Sequence, residues 1–368
     1  MMSLEFTHTT LPPRVLFGSG RGAEHLEAEV QRLSAQRIMV IAGQQELEMA
    51  RQIAARIDVA MWHDEVVMHV PVEVAERARA AAQEHGIDLL VSVGGGSTTG
   101  LAKAIALTSG IPIVAVPTTY AGSEATDVWG LTENARKTTG VDRRVLPQTV
   151  IYDAQLTVSM PAELSVASGL NALAHCIDAL WAPRADPINA ALAGEAIRAL
   201  GQGLPAVAAD GEDVDGRDRT LYGAYLAAVS FASAGSAMHH KICHVLGGTF
   251  DLPHAPTHAT LLPYVLAFNM SHAPEAADRI AAAFGSSTAL EGLQQLRRVL
   301  DAPQRLSDLG FTAEGIPEAV EIALAANPAD NPRPVTQENL SELLTAALNG
   351  DDPHTLVSAT GATEGDPS

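Results

Sequence analysis

Asn171 and His175 stand four residues apart in SGLNALAHCIDAL, and His240 and His244 stand four apart in MHHKICHVLGG. His254 follows in DLPHAPTHA. Residues i and i+4 share a helix face, so two helices and a following loop could bring these groups to one point. Imidazoles so arranged bind divalent cations, but such a site ordinarily includes a carboxylate to balance the charge. Here the position that could supply one is the amide of Asn171. Three histidines can still hold Zn²⁺, which leaves two readings open: a metal site, or a metal-free set of polar groups.

A second constellation lies upstream. DLLVSVGGGSTTGLAKAIAL reads as a strand, three glycines, a serine and a helix. Gly94, Gly95, Gly96 and Ser97 would let a pyrophosphate approach the backbone at a helix N-terminus, where free N–H groups and the dipole favour an anion. The spacing is neither GxGxxG nor a Walker loop, and the plain alternative is a tight strand-to-helix turn. The turn at Pro117, Thr118 and Thr119 follows the next strand and favours the phosphate reading.

These groups need elements to carry them. Up to about residue 155, apolar strand-like runs (RIMVIAG, DLLVSV, IPIVAVP, TVIY) alternate with helical segments. That pattern predicts a mostly parallel sheet covered on both faces. From about residue 160, Ala/Leu-rich helical periodicity takes over, and one long helix is expected from RTLYGAYLAAVS through MHHKICHVLG. The expected organisation is an α/β domain over 1–158 and an all-helical domain over 159–368. A chain of 368 residues is too long for one ordinary core.

Composition excludes several classes. A formal net charge of -20 leaves no basic face for nucleic acid. No apolar run approaches the length of a membrane span, about 18 residues. Two cysteines, Cys176 and Cys243, form no disulfide framework, and the N-terminal segment has no leader pattern, so a reducing, cytoplasmic setting is expected. Buried and inert is the default for both thiols. A Cys243 reachable from the cleft would be activated by a nearby imidazolium. The only lysines, Lys103, Lys137 and Lys241, fall in or beside the segments singled out here. Lone histidines are mostly ordinary surface or core residues. His239 and His258 are placed in that class, since His239 is expected on a different helix face from His240.

Taken together, GGGSxxxxAK, VPTTxxxGSE, GLNALAHCIDAL and HHKICHVLGGTFDLPHA, in that order, resemble the iron-containing alcohol dehydrogenase family over nearly the whole chain. GGGSTTGLAKAIAL, VPTTYAGSEATDVWGLTE and the late NPRP are most similar to its maleylacetate reductase branch. The resemblance implies an N-terminal dinucleotide domain, a C-terminal helical domain and a site in the cleft between them. It implies that Gly95, Gly96 and Ser97 hold the pyrophosphate and that Thr118, Thr119 and Lys137 line the nicotinamide side. The adenine ribose would meet Gly43 and Gln44, where many members have an Asp, so weak discrimination between NADH and NADPH is expected. Gly100 departs from the Asp of the family's GGGSxxD pattern.

In metal-dependent members an Asp and three His bind the ion. The matching positions are Asn171, His175, His240 and His254, and His244 matches a further cleft histidine. The branch resemblance implies that metal is not required; if one is bound, His175, His240 and His254 would hold it. The implied reaction is reduction of the conjugated C=C of maleylacetate to 3-oxoadipate, in the breakdown of aromatic compounds, by a homodimer. Partly protonated His175, His240, His244 and His254 are expected to line the site for the dianionic substrate. Arg136 and Arg333 are candidate carboxylate anchors, with solvated charge the plainer role. Two alternatives are a metal-dependent alcohol dehydrogenase of the same fold and a lyase resembling dehydroquinate synthase.

Overall fold

The computed structural model describes residues 5–11, 13–133 and 136–357, the side chains of residues 136 and 137 excepted. The N-terminal half is built on β1 (Arg14–Phe17), β2 (Ile38–Ile41), β3 (Val59–His63), β4 (Leu89–Gly94), β5 (Ile113–Pro117) and a later strand at Thr149–Tyr152. A ribbon of β6 (Val128–Glu133) and β7 (Arg136–Val141) precedes that last strand, which is therefore β8. The six strands form one parallel sheet in the order β1-β8-β5-β4-β2-β3. Every residue of β2, β4, β5 and β8 is buried, as strands covered on both faces require. The covering helices are α1 (Gly22–Leu33), α2 (Leu47–Ile53), α3 (Val72–Glu84) and α4 (Gly96–Ser109). Counted from β2, the strands follow the doubly wound 2-1-3-4-5 order, whose direction reverses between β2 and β4.

Beyond residue 160 the described elements are helical: α5 (Ala162–Ala179), α6 (Pro187–Ala209), α7 (Val214–Ala234), α8 (Met238–Phe250), α9 (His254–Met270), α10 (Pro274–Phe284), α11 (Ala289–Val299), α12 (Ile316–Ala326) and α13 (Gln337–Asn349), with short 3-10 turns between. Their apolar faces share one core, which Tyr120, Val150 and Tyr152 of the sheet half join. No helix among the described residues is long and apolar enough to cross a membrane.

The two halves are tied beside the cleft. Arg217 of α7 is fully buried and donates to Tyr120 Oη (3.3 Å), Ser165 Oγ (3.2 Å) and the Met160 carbonyl (3.0 Å). The loop after β5 is thereby anchored to the helical half. The antiparallel β6–β7 ribbon was not expected. It is a half-exposed pair without a continuous apolar run, and it closes by setting Trp129 against Gly140, where a Cβ would lie 2.6 Å from the indole. The long helix expected through residues 219–247 is interrupted between α7 and α8. Gly235 turns left-handed there (φ +93°), and α8 begins afresh at Met238. His254 opens α9 instead of lying in a loop.

Candidate active site

The glycine turn sits at the reversal point of the sheet. Gly94 ends β4 in register with Pro117 of β5, and the Thr118 N–H donates to the Gly94 carbonyl (3.1 Å). The two loops therefore lie side by side at the carboxyl ends of parallel strands. A Cβ on Gly94 would lie 2.5 Å from Thr98 Oγ1, and one on Gly95 would lie 3.1 Å from Thr119. Gly95 caps α4 with no side-chain hydrogen bond, so the first N–H groups of Gly96, Ser97 and Thr98 are offered to a ligand. Lys103 of α4 fixes the neighbouring loop. Its Nζ donates to the carbonyls of Ser123 (2.7 Å), Thr126 (2.8 Å) and Val128 (2.8 Å). Burial lowers that ammonium to about 7, against the pull of Glu124 and Asp127. Sequence reading noticed Lys103 only by the company it keeps. Lys137 cannot be placed, because its side chain lies outside the described residues.

Gly43 follows β2, and Gln44 is exposed. The acidic group missing from that strand is supplied by its neighbour. Asp64, just beyond β3, accepts a hydrogen bond from Gln44 Nε2 (2.5 Å). Glu46 Oε2 also lies 2.7 Å from where a Gly43 Cβ would be. Strand adjacency brings Asp64 to Gln44 across 20 residues, which is why the β2 sequence alone did not reveal it.

Across the cleft, α5 carries Asn171, His175 and Asp178 on one face, α8 carries His240 and His244, and α9 starts at His254. His175 stacks on His240 with ring centroids 5.0 Å apart and 18° between planes. Phe231 of α7 closes on both, 4.8 Å from His175 and 4.3 Å from His240. Asn171, His175 and His240 are buried, whereas His244 and His254 are exposed. The five candidates thus divide into a dry inner group and a solvent-facing pair.

Asp178 sets the inner group, and sequence reading missed it. α8 has an alanine, Ala237, at its N-cap, which cannot cap. Asp178 of α5 does so instead, accepting from the backbone N–H of Ala237 (2.8 Å), His239 (3.3 Å) and His240 (3.4 Å). The same carboxylate lies 2.7 Å from His240 Nδ1. A carboxylate accepts, so Nδ1 carries the proton and Nε2 presents a lone pair. Burial pushes the Asp178 carboxyl up, and His239 with the three N–H groups pulls it back down. The available signal was its place three residues after His175, on the same helix face.

Burial also corrects the expected protonated lining. It lowers His175 to about 3, with His254 and His244 adding to the effect, and it holds His240 well below the usual imidazole range. Those two rings are neutral at physiological pH. Among the inner atoms, Asn171 Oδ1, His175 Nδ1 and His240 Nε2 are buried without a hydrogen-bond partner. Cys176 and Cys243 are buried and their thiols are pushed up by burial, as the default reading expects. Arg333 lies over the Phe268 ring (4.3 Å) and donates to the Leu356 carbonyl, a packing role and not that of a substrate anchor. The side chain of Arg136 lies outside the described residues. His239 and His258, read as ordinary, belong to the buried cluster: their rings are 5.0 Å apart and His258 is 4.9 Å from His240.

A glycine turn at the reversal point of a parallel sheet, facing polar groups on a helical domain, is where such a fold takes a ligand. Residues 12–154 match the model of the iron-containing alcohol dehydrogenases, and residues 165–348 match that of the C-terminal part of the Fe-containing alcohol dehydrogenase family. The chain belongs to the iron-containing alcohol dehydrogenase family. It is 47% identical to maleylacetate reductase 2 of Cupriavidus pinatubonensis, over 95% of this chain and 98% of that one. An iron-containing alcohol dehydrogenase structure from Corynebacterium glutamicum superposes with a TM-score of 0.96 at 68% identity, covering 96% of this chain and all of that one. The maleylacetate reductase structure of a Rhizobium species does so with 0.90 at 42%, covering 94% and 99%.

The family implies an iron, and the residues at its positions fit one poorly. Asn171 replaces the anionic donor, leaving only neutral ligands. Among the described residues, the one group of three His, Cys, Asp or Glu with ligand atoms all within 4.8 Å of one another is His239, Cys243 and His258.

Proposed function

We propose that this chain reduces the conjugated C=C of maleylacetate to 3-oxoadipate with NADH or NADPH, and does so without a metal at the Asn171 position. The observation that carries this reading is the neutral inner group. Asp would be an acceptor-only anion suited to an ion, whereas the amide of Asn171 also offers N–H donors. An alcohol dehydrogenase must polarise a C–O bond directly, for which a Lewis acid serves well. A conjugated ketone spreads the developing charge onto an enolate oxygen, which hydrogen-bond donors can stabilise. Relatives named maleylacetate reductase, similar over nearly their whole length, support the same substrate.

The residues divide the work as follows. The uncapped N-terminus of α4, with Gly94, Gly95, Gly96 and Ser97, holds the pyrophosphate, and Thr118 and Thr119 line the nicotinamide side. The nicotinamide, when bound, supplies hydride to the alkene carbon β to the ketone. Asn171 and neutral His175 form the dry wall beside the enolate oxygen. His240 is held in one tautomer by Asp178, and its Nε2 lone pair orders the donors around it. Exposed His244 and His254 meet the carboxylates, and one of them delivers the proton to the carbon α to the ketone, to be reprotonated from water. The α/β part is taken as 1–158 and the helical part as 159–368, in a cytoplasmic homodimer.

The test follows NADH and NADPH absorbance with maleylacetate, with and without EDTA. Oxidation of at least one cofactor, unaffected by EDTA and lowered at least tenfold in H244A or H254A, is expected. If neither cofactor is oxidised, the reading is wrong; loss of activity with EDTA in C243A as well as in wild type would instead favour a metal-dependent dehydrogenase.

A further inference from the structure

α8 carries a second polar stripe that the reduction does not use. His239 and Cys243 stand one turn apart on it, and His258 faces them from α9. Cys243 Sγ lies 3.6 Å from His239 Nε2, which lies 3.0 Å from His258 Nδ1. The three residues are 3%, 1% and 0% exposed. We propose that His239, Cys243 and His258 form a buried zinc site that pins α8 to α9 behind the cleft histidines.

Zinc at about 2.3 Å from sulfur and 2.0–2.1 Å from nitrogen, in tetrahedral geometry, sets S···N near 3.6 Å and N···N near 3.3 Å. The observed pair distances match the first and need a few tenths of an ångström for the second. One thiolate with two imidazoles is the donor set that favours Zn²⁺ over hard, oxygen-seeking cations.

Binding involves no redox change. The Cys243 thiol releases one proton to solvent, and its sulfur gives a lone pair to the ion. The proton shared between His239 Nε2 and His258 Nδ1 moves to the other nitrogen of whichever ring holds it, and each ring then donates its freed lone pair. Three protein ligands leave the fourth tetrahedral position open.

The experiment needs no substrate, so its outcome is independent of the proposed reduction. The full chain is purified without chelator, and its metal content is measured in wild type, C243A, H258N and H175A. A cobalt-grown sample is examined for the near-ultraviolet thiolate-to-cobalt band. The expected result is about one zinc per chain in wild type and H175A, little in C243A and H258N, and a cobalt band absent from C243A. Circular dichroism and cofactor binding check that each variant is folded, and H258N keeps the thiol should C243A fail. Zinc-free wild type would overturn the assignment. So would metal that vanishes in H175A yet persists in C243A, because the ion would then sit at the family position.

Discussion

Asp178→Asn tests the inner group most directly. The carboxylate bonds His240 Nδ1 at 2.7 Å and caps three N–H groups of α8 in trans. A charge-assisted hydrogen bond contributes about 1.5–3 kcal/mol, and capping with the helix dipole adds about 0.5–2 kcal/mol. Against this, the amide relieves the burden of a buried carboxyl that burial already pushes up. It also retains one acceptor oxygen. The net loss should be about 2–3 kcal/mol, read as a fall in the urea midpoint at unchanged m. Asn can also offer N–H to Nδ1, which would move the His240 proton to Nε2, so kcat should fall as well. A cycle with H240Q and the double variant isolates the pair, with a coupling of about 1–2 kcal/mol expected. Stability losses that add within about 0.5 kcal/mol would refute a pairwise role for Asp178 and His240. Unchanged kcat in D178N would refute the tautomer argument.

Two further outcomes follow from the same geometry. Asp64→Asn removes the charge beside Gln44 and should improve kcat/KM for NADPH relative to NADH by about tenfold, a factor worth roughly 1.4 kcal/mol; an unchanged ratio would place the ribose elsewhere. Acid should destabilise the fold through its dry histidines. His175 is lowered to about 3, so between roughly pH 6.5 and 3 the unfolded chain binds a proton that the folded chain does not. Stability therefore rises with pH across that window and is lost on acidification, by about 1.4 kcal/mol per pH unit for each such histidine. H175Q should show a shallower fall of thermal midpoint with pH than wild type; parallel curves would mean that the ring is not buried neutral.

How much of this was legible in the chain depends on the range of the interactions. The parallel sheet was visible because strands buried on both faces are apolar throughout, and the helical half because its faces repeat. The residue types of the cleft were visible too, since i,i+4 spacing is local. Their state was not. Whether an imidazole is charged depends on what packs over it, and Phe231, which dries His175 and His240, lies nine residues before His240 on another helix. Asp178 was overlooked for a related reason: its function is to cap a helix that begins 60 residues later, where the local sequence offers only Ala237. Asp64 reaches Gln44 through strand adjacency, and His258 reaches His239 through helix packing. In each case the sequence displayed the group that does the chemistry, while the group that sets its charge or tautomer came from another element. For Asn171 this distinction matters most. Its identity says that an anion is missing from one position, and only the packing of α8 on α9 shows that His258 stands beside His239 and Cys243.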